Sequence, residues 1–165
     1  VKVTYEIDET KTHFLNVDLD VWSRSRLEKL AEALEPRLSV LYVGSEGKRH
    51  GAHFEFNGKR FDTDATYKVL HLLKAVEQLP ARARRIWQDA SVRELNVGVQ
   101  AAGKPHSFEV RLSPKAVEAA ARAGAGIVLT VYAPGPENLR LQKGGHPQAS
   151  RQPSSRSRRK KGVGA

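Results

Sequence analysis

Along residues 13–22 the chain alternates. Leu15, Val17, Leu19 and Val21 fall on one side, and Asn16, Asp18 and Asp20 on the other. Period two predicts a strand with one buried face. The period then lengthens. Leu27, Leu30, Ala31 and Leu34 recur at helical spacing, and Ser25-Arg-Leu-Glu28 has the form of a capping box. Pro36 disfavours helical geometry at Glu35 and predicts the helix end. Residues 39–44 and 52–56 read as strands around a polar turn, the second with Ala52, Phe54 and Phe56 alternating with His53 and Glu55. Asn57-Gly58 is a turn signal.

A longer helix, capped by Asp62 or Asp64, carries Val69, Leu70, Leu73 and Val76. Pro80 restarts it, and Ile86 and Trp87 anchor the second piece. Residues 93–100 predict a fourth strand with Leu95, Val97 and Val99 inward. Residues 107–112 predict a fifth with Phe108, Val110 and Leu112 inward. Ser113-Pro114 opens a helix over Val117, Ala120 and Ala121, which Gly124 or Gly126 stops. Residues 127–132 form the sixth predicted strand.

The expected order is therefore β-α-β-β-α-β-β-α-β. The fold class is α+β, with a mainly antiparallel or mixed sheet covered by helices on one face. Its first six elements have the order of a ferredoxin-like unit.

Composition sharpens the domain boundary. The net charge is +10. Residues 1–134 hold 20 Lys/Arg against 17 Asp/Glu, or +3, while residues 135–165 hold 8 against one, or +7. The expectation is one α+β domain over 1–134 and a basic, disordered tail over 135–165, since Gly, Pro, Ser, Gln and Arg bury too little apolar surface to offset ordering entropy. The absence of cysteine excludes disulfides, thiol nucleophiles and Cys-based metal sites. No apolar run reaches the roughly 20 residues that span a bilayer. Residues 1–12 are charged and lack the apolar core of a signal peptide, so the expected location is cytoplasmic, with no membrane contact.

Candidate chemistry is sparse. Gly98-Val-Gln-Ala-Ala-Gly103-Lys104 has the first seven positions of a phosphate-binding loop, but Pro105 stands where Ser or Thr should hold magnesium, and a strand rather than a helix is expected next. A hairpin turn is the better reading. Asn16, Asp18 and Asp20 make a polar row that Trp22 ends, and Glu94, Asn96 and Gln100 are positioned to line a neighbouring strand on the same face. This row is the candidate binding face, with the aromatic as anchor. His50 and His53 are three apart, which sends them to opposite faces of a strand. Arg82, Arg84 and Arg85 cluster at a helix start, where the helix dipole does not favour cations. In the tail, Arg156, Arg158, Arg159, Lys160 and Lys161 are dense enough to hold a polyanion by counterion release.

Leu95-Asn-Val-Gly-Val-Gln-Ala101, Ser107-Phe-Glu-Val-Arg-Leu-Ser-Pro114, Ala123-Gly-Ala125 and residues 128–132 resemble the C-terminal half of an uncharacterised bacterial family of small α+β proteins, one of the domains of unknown function. Asn16-Val-Asp-Leu-Asp-Val21 and the Leu-rich helix after it are similar to the first half in outline, so the resemblance spans residues 13–134. It implies a compact bacterial domain and brings no catalytic residues. Small bacterial proteins of this class include toxin-neutralising immunity proteins, so the analogy implies a binding role of an immunity-like or regulatory kind.

The leading expectation is a non-enzymatic module that recognises a protein partner through its sheet face or edge, without cofactor or metal. The alternatives are salt-dependent nucleic-acid association through the tail, and a metal-dependent hydrolase built on Asp18 and Asp20.

Overall fold

The computed structural model describes residues 10–58 and 64–134. The tail arginines and lysines and Asp62 lie outside the described residues. The elements run β1 (His13–Ser23), α1 (Glu28–Leu34), β2 (Leu38–Glu46), β3 (Arg49–Phe56), α2 (Ala65–Glu77), α3 (Ala81–Asp89), β4 (Val92–Gln100), α4 (Pro114–Ala123) and β5 (Gly126–Tyr132). They form a five-stranded sheet in the order β2-β3-β1-β4-β5. The first three pairings are antiparallel and β4–β5 is parallel. The fold is α+β with a mixed sheet. Strands β2-β3-β1-β4 have the ferredoxin-like arrangement, and α4 with β5 extends it on one side.

Alternation sets the layers. Val17, Leu19, Val21, Ala52, Phe54, Leu95, Val97 and Val99 are buried on one face of the sheet. Leu30, Leu34, Val69, Leu72, Leu73, Trp87, Ala116 and Ala120 meet them from the helices. The core is therefore one apolar layer between sheet and helices. Among the described residues, no helix covers the opposite face, which is largely polar.

Helix ends follow local chemistry. Asp64 Oδ1 accepts from the N–H of Thr66 at 2.8 Å and of Tyr67 at 3.3 Å, capping α2. Ser113 Oγ accepts from Ala116 N–H at 3.3 Å, Pro114 follows at the first helical position, and Gly124 closes α4 with φ +66°. The α1 entry differs from the expected capping box. The helix begins at Glu28, and Ser25 donates its N–H to Ser23 Oγ at 3.1 Å instead of capping. The exposed Arg84 guanidinium donates to the Glu77 carbonyl at 2.7 Å and the Leu79 carbonyl at 3.1 Å, so this member of the arginine cluster ties off the end of α2.

Two segments depart from simple alternation. Residues 107–112, expected as a strand, pair with nothing in the sheet. Both sides of β4 are already taken, by β1 and β5, so no ladder is left beside it. The segment crosses on the helix side instead, where Val110 and Leu112 pack on the core. Thr66 Oγ1 holds it, donating to the Arg111 carbonyl at 3.3 Å and accepting from Ser113 N–H at 2.9 Å. In β1, the register shifts between Phe14 and Asn16. The bulge leaves Leu15 40% exposed, and Phe14 packs against the core in its place.

Candidate functional site

The open face of the sheet gathers polar residues from three adjacent strands. Asp18 stands opposite Glu55 on β3 and Asn96 on β4, and Asp20 stands opposite His53 and Glu94. Asn16 faces Gly98, and Trp22 faces Gly51 and Val92. These side chains project from the same face, because each pairs at even spacing from Asp18 or Asp20.

Asp20 is the hub. Its Oδ1 meets His53 Nδ1 at 2.6 Å, and its Oδ2 accepts from Asn96 Nδ2 at 3.3 Å. Asn96 is held in turn by Thr130 of β5, whose hydroxyl donates to Oδ1 at 2.7 Å. A chain of hydrogen bonds therefore runs across four strands, from Thr130 through Asn96 and Asp20 to His53. Such chains fix side-chain orientation, because each member satisfies the next.

A second network lies one step along β1. Asn16 Nδ2 donates to Asp18 Oδ1 and to Glu55 Oε2, both at 3.0 Å. Asn16 Oδ1 accepts from Lys68 Nζ at 2.5 Å. Lys68 belongs to α2, in the helix layer. It reaches Asn16 because the β1–β3 pairing stops at Asp18–Glu55, so β3 does not screen this end of β1. Asp18 sits between Asp20 and Glu55. Burial, then the negative charges of Asp20 and Glu55, push its carboxyl up to about 6, against the pull of Lys68 and His53.

An aromatic corner adjoins the carboxylates. Trp22 meets His53 edge to face at 5.3 Å between centroids, and Tyr42 of β2 lies 5.5 Å from His53. Gly51 makes room for this corner: a Cβ there would come within 2.8 Å of the Trp22 ring. The Arg49 guanidinium carbon lies 5.2 Å from the Trp22 centroid, a cation–π distance.

The row expected from sequence is thus divided. Asn16, Asp18, Asp20 and Asn96 join the networks. Trp22 forms the aromatic corner and Glu94 stands beside Asp20. Gln100 lies at the far end of β4, where Nε2 donates to the carbonyls of Ala101, Tyr132 and Ala133 and ties β4 to β5. His53, Glu55, Tyr42, Thr130 and Lys68 were not among the expected site residues. His53 and Glu55 carry a signal in the alternation of β3, but only the sheet order shows that β3 borders β1.

Chemically, the Asp20–His53 pair orients an imidazole as catalytic dyads do. A histidine–hydroxyl contact, Ser45 Oγ with His50 Nδ1 at 3.0 Å, is exposed on the β2–β3 hairpin. Among the described residues, no group of three or more His, Asp or Glu side chains is arranged to hold a metal ion. Clefts lie away from this face. One of about 520 Å³ is lined by His13, Phe14, Asp64 and Phe108–Arg111, on the helix side of the sheet. Among the described residues no helix is long and apolar enough to cross a membrane.

Fold and site together define an α+β domain that displays an ordered acidic and aromatic surface on a sheet face that no described helix covers. Compared with known proteins, the chain matches no family model, no curated protein and no solved structure.

Proposed function

We propose that this domain is a non-enzymatic binding module that recognises a protein partner through cationic side chains laid on its open sheet face. The observation that carries the reading is Arg49 over Trp22, 5.2 Å from the ring centroid, beside Asp18, Asp20, Glu55 and Glu94. The chain thereby places one of its own guanidinium groups on the aromatic corner. Aromatic rings and arginines are the groups that dominate protein interfaces, and a face already fixed by internal hydrogen bonds loses little freedom on binding. An immunity-like or regulatory task is the biological form proposed for such recognition.

The test is paired affinity capture with the full chain and with Trp22→Ala combined with Asp20→Asn. A protein held by the wild type and released by the variant supports the reading. Capture of nucleic acid alone, or equal capture by both, overturns it.

The concentration of +7 in residues 135–165 favours a second, separate reading, in which the tail holds nucleic acid. Its signature is steep salt dependence and complete loss on deleting those residues. Binding that survives the deletion rules it out.

A further inference from the structure

The two edges of the sheet are built differently. The β2 edge carries a register irregularity at Leu41, between Val40 and Tyr42, and ends on Glu46. Bulges and charges are the usual protection of an exposed edge. The β5 edge has neither. Its seven residues, Gly-Ile-Val-Leu-Thr-Val-Tyr, hold no charge and no proline, and its register with β4 is unbroken. Ile127 is 41%, Leu129 61% and Val131 58% exposed. These three lie on the helix side of the sheet, opposite Leu95, Val97 and Val99 of β4, and continue into an apolar groove with Phe108 and Val110.

The backbone of this edge is also unpaired among the described strands. The Tyr132 carbonyl accepts from Ala101 N–H at 2.9 Å, so Tyr132 turns its backbone groups toward β4. Strand alternation then directs those of Thr130 and Val128 the same way, and those of Ile127, Leu129 and Val131 outward.

We infer that β5 pairs antiparallel with β5 of a second copy of this chain, across a two-fold axis at Leu129. The sequence is self-complementary in that register. Leu129 faces its own copy, Ile127 faces Val131, Val128 faces Thr130, and the smallest residue, Gly126, faces the largest, Tyr132. The three residues with outward backbone groups are the ones that meet as hydrogen-bonded pairs. An isologous contact closes on itself and leaves no free apolar edge, so assembly stops at two. The pairing covers the edge backbone together with part of the exposed apolar surface of Ile127, Leu129 and Val131.

Sedimentation of the full chain across the micromolar range is the test, run with Leu129→Lys, with Leu41→Lys on the other edge, and with amide exchange of the wild type. The wild type and Leu41→Lys should sediment at twice the 18.3 kDa chain mass, and Leu129→Lys at the chain mass with an unchanged circular dichroism spectrum. Amides of Ile127, Leu129 and Val131 should be protected in the wild type, a readout that holds even where Leu129→Lys fails to fold. A monomeric wild type, a dimer that survives Leu129→Lys, a dimer lost with Leu41→Lys, or freely exchanging amides at these three residues would each overturn the inference. A monomeric wild type would leave the edge to a strand from a different protein.

Discussion

The two faces of β1 are written in alternate residues of one strand, and they are held by different forces. On the covered face, Val17, Leu19 and Val21 have no exposed surface and are fixed by packing against the helices. On the open face, Asn16, Asp18, Asp20 and Trp22 remain partly exposed and are fixed by hydrogen bonds and ring contacts to neighbouring strands. The covered face follows from non-directional burial, which any apolar side chain of the right size satisfies. The open face requires particular donors opposite particular acceptors. The comparison teaches that the first face determines whether the domain folds, and that the second is the one on which the proposed recognition rests.

The comparison predicts a graded series of effects. Leu19→Ala empties a fully buried site and should cost about 3 kcal/mol in denaturant unfolding. A loss below about 1 kcal/mol would mean that the helix layer collapses onto the vacancy. On the other face, Asp20→Ala removes the acceptor shared by His53 and Asn96, and should cost roughly 1–2 kcal/mol, less than a core cavity because both partners can reach water.

Asp18→Asn should act in the opposite direction. The folded chain raises this carboxyl from 3.8 to about 6, so it holds the proton more tightly than the unfolded chain does. Stability associated with Asp18 is then fully present below about pH 4 and is lost as pH rises to about 6. At neutral pH the neutral amide should stabilise the domain by roughly 1 kcal/mol, a figure that allows for solvent screening on this half-exposed face. Melting curves of the two proteins should converge below pH 4 and separate above pH 6. His71 has the reverse sign. Burial, and secondarily Lys74, lower its pKa, so its contribution is present above the unfolded value of 6.5 and is lost as pH falls through the folded one. The Asp18 effect is therefore read from the difference between wild type and variant, in which His71 cancels.

The smallest expected effect is at Arg49. Arg49→Ala removes an exposed cation–π contact worth about 0.5 kcal/mol and should barely move the melting temperature. On the proposed reading it should strengthen binding of an arginine-containing partner, because the variant no longer covers Trp22 with its own guanidinium.

Much of the fold was legible because burial leaves a period in the sequence. The inward sets Val17-Leu19-Val21 and Leu95-Val97-Val99 are the ones that the structure buries, and Asp64, Ser113 and Gly124 mark helix ends by local chemistry. Two local expectations failed for non-local reasons. Leu15 fits the alternation, but a bulge turns it outward. Residues 107–112 alternate as a strand does, but no sheet edge beside β4 was free to receive them. The site was half legible for the same reason. Asn16, Asp18, Asp20 and Trp22 share a face by period two alone. Their partners His53, Glu55 and Lys68 come from elements 33 to 52 residues away, and only the order β3-β1-β4 and the early end of the β1–β3 pairing bring them in.

The central claim is that the open face is a built surface for cationic side chains. An amide-resolved NMR titration of the full chain with a short arginine-rich peptide tests it most directly. The account predicts shifts concentrated at Trp22, Tyr42, His53, Glu55 and Asp18, stronger in Arg49→Ala and weakened by Trp22→Ala. Shifts confined to β5 or the helix layer, or no shift at a large molar excess of the peptide, would contradict it.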